Sequence, residues 1–350
     1  MLDPAHESVH GVPARPGDPA AAGDSGLSEV ADLEAFAGEV RALDQRYGGV
    51  PARDAAVGRL PAALALVDAS PSGAGGARLR TAVADLHSLA GWVSFDTGMA
   101  DAAVGYFGTA LRLASSVGNT SLTSNVRHQL GRLRLHHNEP TRALAEFRLG
   151  ALAAEASGSS RAAALIKANT AWSWARLRRE QDAVALLSDL DESLAEVHGG
   201  PGAEWPAFST RNDLSALTGI VYTELAQVVD PHYARLGVLL LTSAVQGYGA
   251  DMARRRAFSL ISLAVCHLVD DQVHEGLEAG ARAVDLCEQL ASHRTAERLR
   301  PLRNEAQRRR SHRGARELAD RIRAFRPPCC PTTRNVAANS RVACEGSGPA

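Results

Sequence analysis

Lysine is almost missing: of 38 basic residues one, Lys167, is a lysine. The positive charge is therefore arginine, so any contact with an anion would be made by a planar guanidinium fork and not by a point charge. Aromatic residues make up only 5 % of 350, and alanine and leucine dominate, which favours helices over a sheet sandwich. Long hydrophobic runs are lacking too. The best, Gly237 to Val245, falls well short of the roughly 20 residues a spanning helix needs, so no membrane is expected. The opening Met1 to Glu7 carries acids where a signal peptide carries bases, and no apolar segment follows. Five cysteines are an odd number without secretory context, which points to a reduced cytoplasm. A net charge of −1 supplies no global field for nucleic acid or membrane.

Catalytic signatures are equally scarce. There is no Walker loop, dinucleotide fingerprint or GxSxG. His6-Glu7-Ser8-Val9-His10 fits HExxH. It lies between Pro4 and Gly11-Val12-Pro13, with no apolar face to hold a zinc-binding helix, and reads as a chance match. His128, His136 and His137 near Glu139 have no metal-ligand spacing, Cys266 and Cys287 fall on apolar stripes, and Cys329, Cys330 and Cys344 form no CxxC pair. No enzyme activity, metal or cofactor is expected.

What the chain does have is a pattern repeated forty residues apart. Gly91, Gly98, Ala103, Phe107 and Ala110 recur as Gly131, Asn138, Ala143, Phe147 and Gly150, and more loosely as Ala171, Arg178, Ala183 and Leu187. A small residue, a turn, a second small residue and then a large apolar one describe a helical hairpin. Small residues let two helices approach, and the large one fills the gap between hairpins. Val126, Leu130 and Leu133, then Ala143, Leu144 and Phe147, follow the spacing of a helix face. The break His136-His137-Asn138-Glu139-Pro140 pairs a residue tolerant of left-handed backbone with a proline suited to a first helical turn.

These offsets resemble the tetratricopeptide (TPR) repeat. The wording LAGWVSFDTGMADAAVGYFGTALRLA, then RHQLGRLRLHHNEPTRALAEFRLGALAA, then ANTAWSWARL, is similar to the TPR-type regulators of actinobacteria. That resemblance covers roughly residues 28–326. It implies an all-α, right-handed superhelical solenoid of about five hairpins. It also implies an intracellular role in controlling development or antibiotic production. Such regulators often carry a helix-turn-helix domain ahead of the repeats, for which residues 1–27 leave no room, since one needs roughly 50.

In order, residues 1–27 read as a disordered lead, 28–76 as a capping hairpin, 77–293 as the repeats, 294–326 as a basic cap and 327–350 as a disordered tail. Within the cap hairpin, Pro61 is expected to kink or split the second helix. Gly199 to Gly202 should widen the spacing. Leu214, Leu217, Val221 and Leu225 mark the next helix, and Tyr233, Leu236 and Leu240 its partner. Phe258, Ile261, Val265 and Leu268, then Val273, Leu277, Ala281 and Val284, mark another pair. The basic segment holds twelve arginines against four acids, a net +8 that leaves −9 elsewhere.

Two surfaces are candidate sites. In stacked hairpins of this type the first helix of each unit faces inward. Asp85, Ser88, Trp92 and Asp96 would then meet Asn125, His128, Arg132 and His136, and beyond them Asn169, Trp172 and Arg176. Of these, Trp92, Asn125, His128, Arg132, Asn169, Trp172 and Arg176 are the candidate contacts. They could clamp an extended peptide by its backbone and terminal carboxylate. The alternative is contact with nucleic acid through Arg308, Arg309, Arg310 and Arg313, although no aromatics are interleaved there to stack on bases. A ligand-free scaffold is the third reading. The favoured expectation is a regulatory protein- or peptide-binding module, with DNA touched indirectly and self-association as a homodimer left open.

Overall fold

The computed structural model describes residues 19–70, 73–196, 210–290 and 292–326. These residues form an all-α array of fourteen helices and no strand, packed as neighbouring pairs. In order they are α1 (Pro19–Tyr47), α2 (Gly49–Ala69), α3 (Ala74–Asp96), α4 (Ala100–Ser116), α5 (Thr120–His136), α6 (Pro140–Ala156) and α7 (Ser160–Arg176). Then come α8 (Glu180–Glu196), α9 (Arg211–Val228), α10 (Tyr233–Gly247), a 3-10 turn at Ala250–Met252, α11 (Ala253–Val269), α12 (Val273–Cys287), α13 (Arg294–Arg308) and α14 (Arg313–Ala324). The HExxH match, the Gly199–Gly202 break and the cysteines after residue 327 lie outside the described residues. Of the expected lead, residues 19–27 are the start of α1, and α2 runs unbroken through Pro61.

The helices stop where backbone chemistry stops them. Gly98, Asn138, Arg178 and Asp271 all take left-handed φ, between 58° and 83°. In each turn the next amide reaches back five residues: Met99 to Ser94, Glu139 to Arg134, Arg179 to Trp174 and Gln272 to His267, at 2.8–2.9 Å. That bond satisfies a carbonyl the helix leaves orphaned. Starts are equally local. The side chains of Asn119 and Ser159 accept from Leu122 and Ala162 amides, Thr210 and Asp213 form a capping box, and Pro140 opens α6.

Packing follows the small-to-large seam. A Cβ on Gly91 or Gly131 would lie under 3 Å from the ring of Phe107 or Phe147. In the third copy Ala171 and Leu187 stand at those sequence positions, a larger seam residue with a smaller filler, and both are buried. In α10 and α12 the buried face is instead built from small residues. Ala234, Gly237, Leu241 and Ala244 are buried, whereas Leu236 is 46 % exposed, against the expected stripe. Gly237 lies against Cys266 Sγ and Gly276 against Leu268, so closeness of approach, not side-chain bulk, sets which face turns inward. Cys266 and Cys287 are buried, and burial pushes both thiols up to about 12.

The odd-numbered helices touch one another in sequence, α1 with α3 and on through α5, α7, α9, α11 and α13. Of the even-numbered helices in the other layer, α12 and α14 meet. In the row of odd-numbered helices, α1 also meets α11.

Candidate functional site

That contact brings residues from distant helices around one chamber of two compartments, which share Arg132, Ile220, Phe258 and Arg294. Its larger part, about 280 Å³, is walled by Asp85, Ser88 and Trp92 of α3, Asn125, His128, Gln129 and Arg132 of α5, and Asp44 of α1. Tyr248 and Asp213, Arg254, Arg255, Phe258 and Ser259 of α9 and α11, with Arg294, form the opposite wall. A smaller part, about 80 Å³, is lined by Arg132, His136, Trp172 and Arg176 together with Glu224, Arg298 and Arg300. Arg132 stands in both.

Most of the residues expected to face inward therefore do so, in three consecutive repeats. Asn169 and Asp96 do not line the chamber. Asn169 is fully buried, its amide nitrogen donating to Leu165 carbonyl at 2.7 Å and meeting His128 Nε2 at 3.1 Å. It braces His128 from behind rather than facing a ligand. Arg176 lines the small part but is paired with Glu224 at 3.1 Å, which also accepts from Trp172 Nε1 at 3.0 Å.

Asp96 is a buried ionic hub. Its carboxylate accepts from Gly49 amide at 2.9 Å, Ser292 hydroxyl at 2.9 Å and Arg294 Nε at 2.6 Å, with Arg254 at 3.5 Å. Burial pushes the carboxyl up, but Arg294 and Arg254 outweigh it and hold it below the usual range. Arg254 also grips Asp44 through two bonds of 2.6 Å. Burial lowers its pKa, and Asp44 and Asp96 more than reverse that. The Arg294 guanidinium sits 4.6 Å from the Trp92 ring and 4.7 Å from Phe95. For Arg294 burial wins and its pKa is lowered, against the opposing pull of Asp96. A pair this deep contributes little net stability but costs several kcal/mol if one partner is removed.

Elsewhere the chamber is strongly cationic. Burial, then Arg294, Arg254 and Arg255, bring Arg132 down to about 10, still charged at neutral pH. Burial and Arg132 pull His128 to about 3. His136 is pulled to about 2 by burial, then by Arg298, Arg294, His137 and Arg176. The Glu297 carboxylate touching its Nε2 favours the cation; burial and the surrounding positive charge are the stronger influence, so this imidazole is a neutral donor.

The opposite wall was missed by sequence reading. Arg294 and Arg298 were grouped with the basic cap, but they point inward from the start of α13, while Arg308, Arg310 and Arg313 are exposed on the outside. A signal was present in the Arg254-Arg255-Arg256 run directly before an apolar stripe. Of the alternative nucleic-acid residues, Arg308 and Arg309 pair with Glu305, Arg309 also with Asp271, and Arg313 with Glu317. Among the described residues no group of three or more His, Cys, Asp or Glu could hold a metal, and no helix is long and apolar enough to cross a membrane. Neither the known protein-family models nor the curated proteins contain a match to this chain.

Proposed function

We propose that the chain is a cytoplasmic regulatory binding module, a superhelix of TPR-like hairpins whose inner face receives a peptide or a protein segment. Its setting, by the resemblance above, is transcriptional control of development or secondary metabolism. One observation carries the reading: inward side chains of three successive repeats share one chamber with residues brought back from α9, α11 and α13. A ligand touching both walls favours the curled arrangement over a more open one, and so changes the outer surface offered to a partner.

The test is comparative capture from native cytoplasm with the full chain, Asn125→Ala/Arg132→Ala, and Arg310→Ala. The expected outcome is a defined set of peptides or proteins, recovered about tenfold less with the double variant, as for residues carrying most of an interface's energy, and equally with Arg310→Ala. Identical recovery by all three proteins removes the chamber from consideration.

A further inference from the structure

We propose that the smaller compartment, between α5, α7 and α13, is an anion-recognition subsite in which Arg132 and Arg298 grip the oxygens of a carboxylate or phosphate group beside Trp172. Apart from exposed Arg300 at the rim, the other lining cations are matched: Arg41 with Asp85, Arg254 with Asp44, Arg294 with Asp96, Arg176 with Glu224 and Arg255 with Asp213. Arg132 and Arg298 form no ion pair with a described carboxylate. Glu224 is the acid that acts on Arg298, and it is already held by Arg176 and Trp172. Both guanidiniums stand by the Trp172 ring, at 5.7 Å from Arg132 and 4.9 Å from Arg298, with the Glu224-paired Arg176 at 5.6 Å.

Two inward cations without a carboxylate of their own are an arrangement proteins avoid, because burial penalises each and they repel one another. The indole face offsets part of that penalty. Their N–H donors remain available, and a planar fork matches two oxygens of one anionic group. Burial, then Arg132, Arg294 and Arg176, hold Arg298 well below the usual arginine range, an environment in which an added negative charge is strongly favoured. The compartment, about 80 Å³, takes one small charged group. It joins at Arg132 the chamber of about 280 Å³, where the rest of a ligand lies. Exposed Glu297 and Arg300 stand at its rim. The subsite rests on the binding reading above only for that remainder of the ligand.

The test is calorimetric titration of the full chain, in buffer free of phosphate and sulfate, with inorganic phosphate, with triglycine, and with triglycine amide. Saturable one-to-one binding of phosphate or free-acid triglycine is expected, about tenfold weaker in Arg132→Gln and Arg298→Gln and unchanged in Arg310→Gln. Phosphate alone identifies a phosphate ligand; triglycine but not its amide identifies a chain terminus. Arg298→Lys, which keeps charge without the fork, should fall between. A second readout needs no anion: Arg298→Gln should keep or raise Tm in the anion-free buffer, since it removes an unmatched cation. Binding of neither anion, equal binding by the amide, or equal affinity in Arg298→Gln overturns the subsite. So does a drop in its Tm with no phosphate response in the parent chain, since the arginine then serves only to stack on Trp172. If partners are captured through the chamber but neither anion binds, the subsite falls while the chamber reading stands. Anion binding that Arg298→Gln weakens, with no partner captured, is the reverse.

Discussion

Residues 74–196 and 210–326 build similar helix pairs by different means. In the first region α4 through α8 are each 17 residues long. Their turns are superimposable in hydrogen bonding, and the glycine-to-aromatic seam returns at a constant interval. In the second, helix lengths run from 12 to 18 residues and the seam changes register: Gly219 meets Leu241, Gly237 meets Cys266 and Gly280 meets Leu318. The division extends to the chamber. The periodic wall is rich in hydrogen-bonding groups such as Ser88, Asn125, His128 and Gln129, while the aperiodic wall brings Asp213, Glu224, Arg254, Arg255, Arg294 and Arg298. Both walls carry charge, Asp85, Arg132 and Arg176 coming from the periodic side, but most of the lining arginines come from the irregular region. Asp96 joins the two.

The largest effect is therefore expected at that junction. Asp96→Asn keeps the shape but leaves Arg294 and Arg254 short of a buried counter-charge. It should destabilise the chain by about 3–5 kcal/mol in urea unfolding, the range for breaking a buried pair. The pH dependence has a definite sign. The folded carboxyl titrates below its ordinary 3.8, so its contribution is complete above that value and is lost as pH falls through the folded pKa. The variant should show a shallower loss of stability below about pH 4. A cost under about 1 kcal/mol would mean that apolar contacts alone hold the regions together, and the comparison would need redrawing.

A smaller effect is expected inside the periodic region. Gly131→Ala drives a methyl into the Phe147 ring, at about 1–3 kcal/mol for overpacking, less up to about 1 kcal/mol regained from helix propensity. The third repeat shows the remedy, since Ala171 goes with Leu187. Adding Phe147→Leu to Gly131→Ala should recover more than half of the loss, read as a double-mutant cycle. If the two changes are merely additive, the seam is not a matched pair and the repeats share sequence without sharing packing logic.

Legibility follows the same division. The hairpins between 77 and 196 could be read because turn, seam and filler are local and recur. The phase of α10 was misread because Tyr233, Leu236 and Leu240 look like a core stripe, whereas Ala234 and Gly237 admit the neighbouring helix more closely. Trp92, Asn125, His128 and Arg132 could be placed facing inward because helix periodicity groups them on one face and the resemblance to stacked hairpins implies that the first helix of each pair turns inward. Nothing local could reveal that Asp44 meets Arg254, 210 positions away, or that Asp96 meets Arg294, 198 away. Those contacts depend on how five helix pairs pack in succession, which no short sequence pattern encodes.

The smallest effect is expected on the outer part of the same basic segment. Arg313 is 86 % exposed and, among the described residues, bridges only Glu317, one helical turn on. Arg310 is exposed at the end of the preceding helix. Water already solvates both cations, so an exposed pair gives back in side-chain entropy most of what it gains by attraction. Arg310→Ala and Arg313→Ala should each shift stability by less than about 0.5 kcal/mol. A nucleic-acid role for this face predicts instead that duplex DNA binds with a steep dependence on salt, and that each variant lowers the slope by about one unit. The expected result is a weak, shallow titration that neither variant changes. Arg294 and Arg298 sit on α13, in the same run of basic residues, and their surroundings are chamber walls; a steep slope lost on removing Arg310 or Arg313 would move the functional surface from that chamber to the outside of the array.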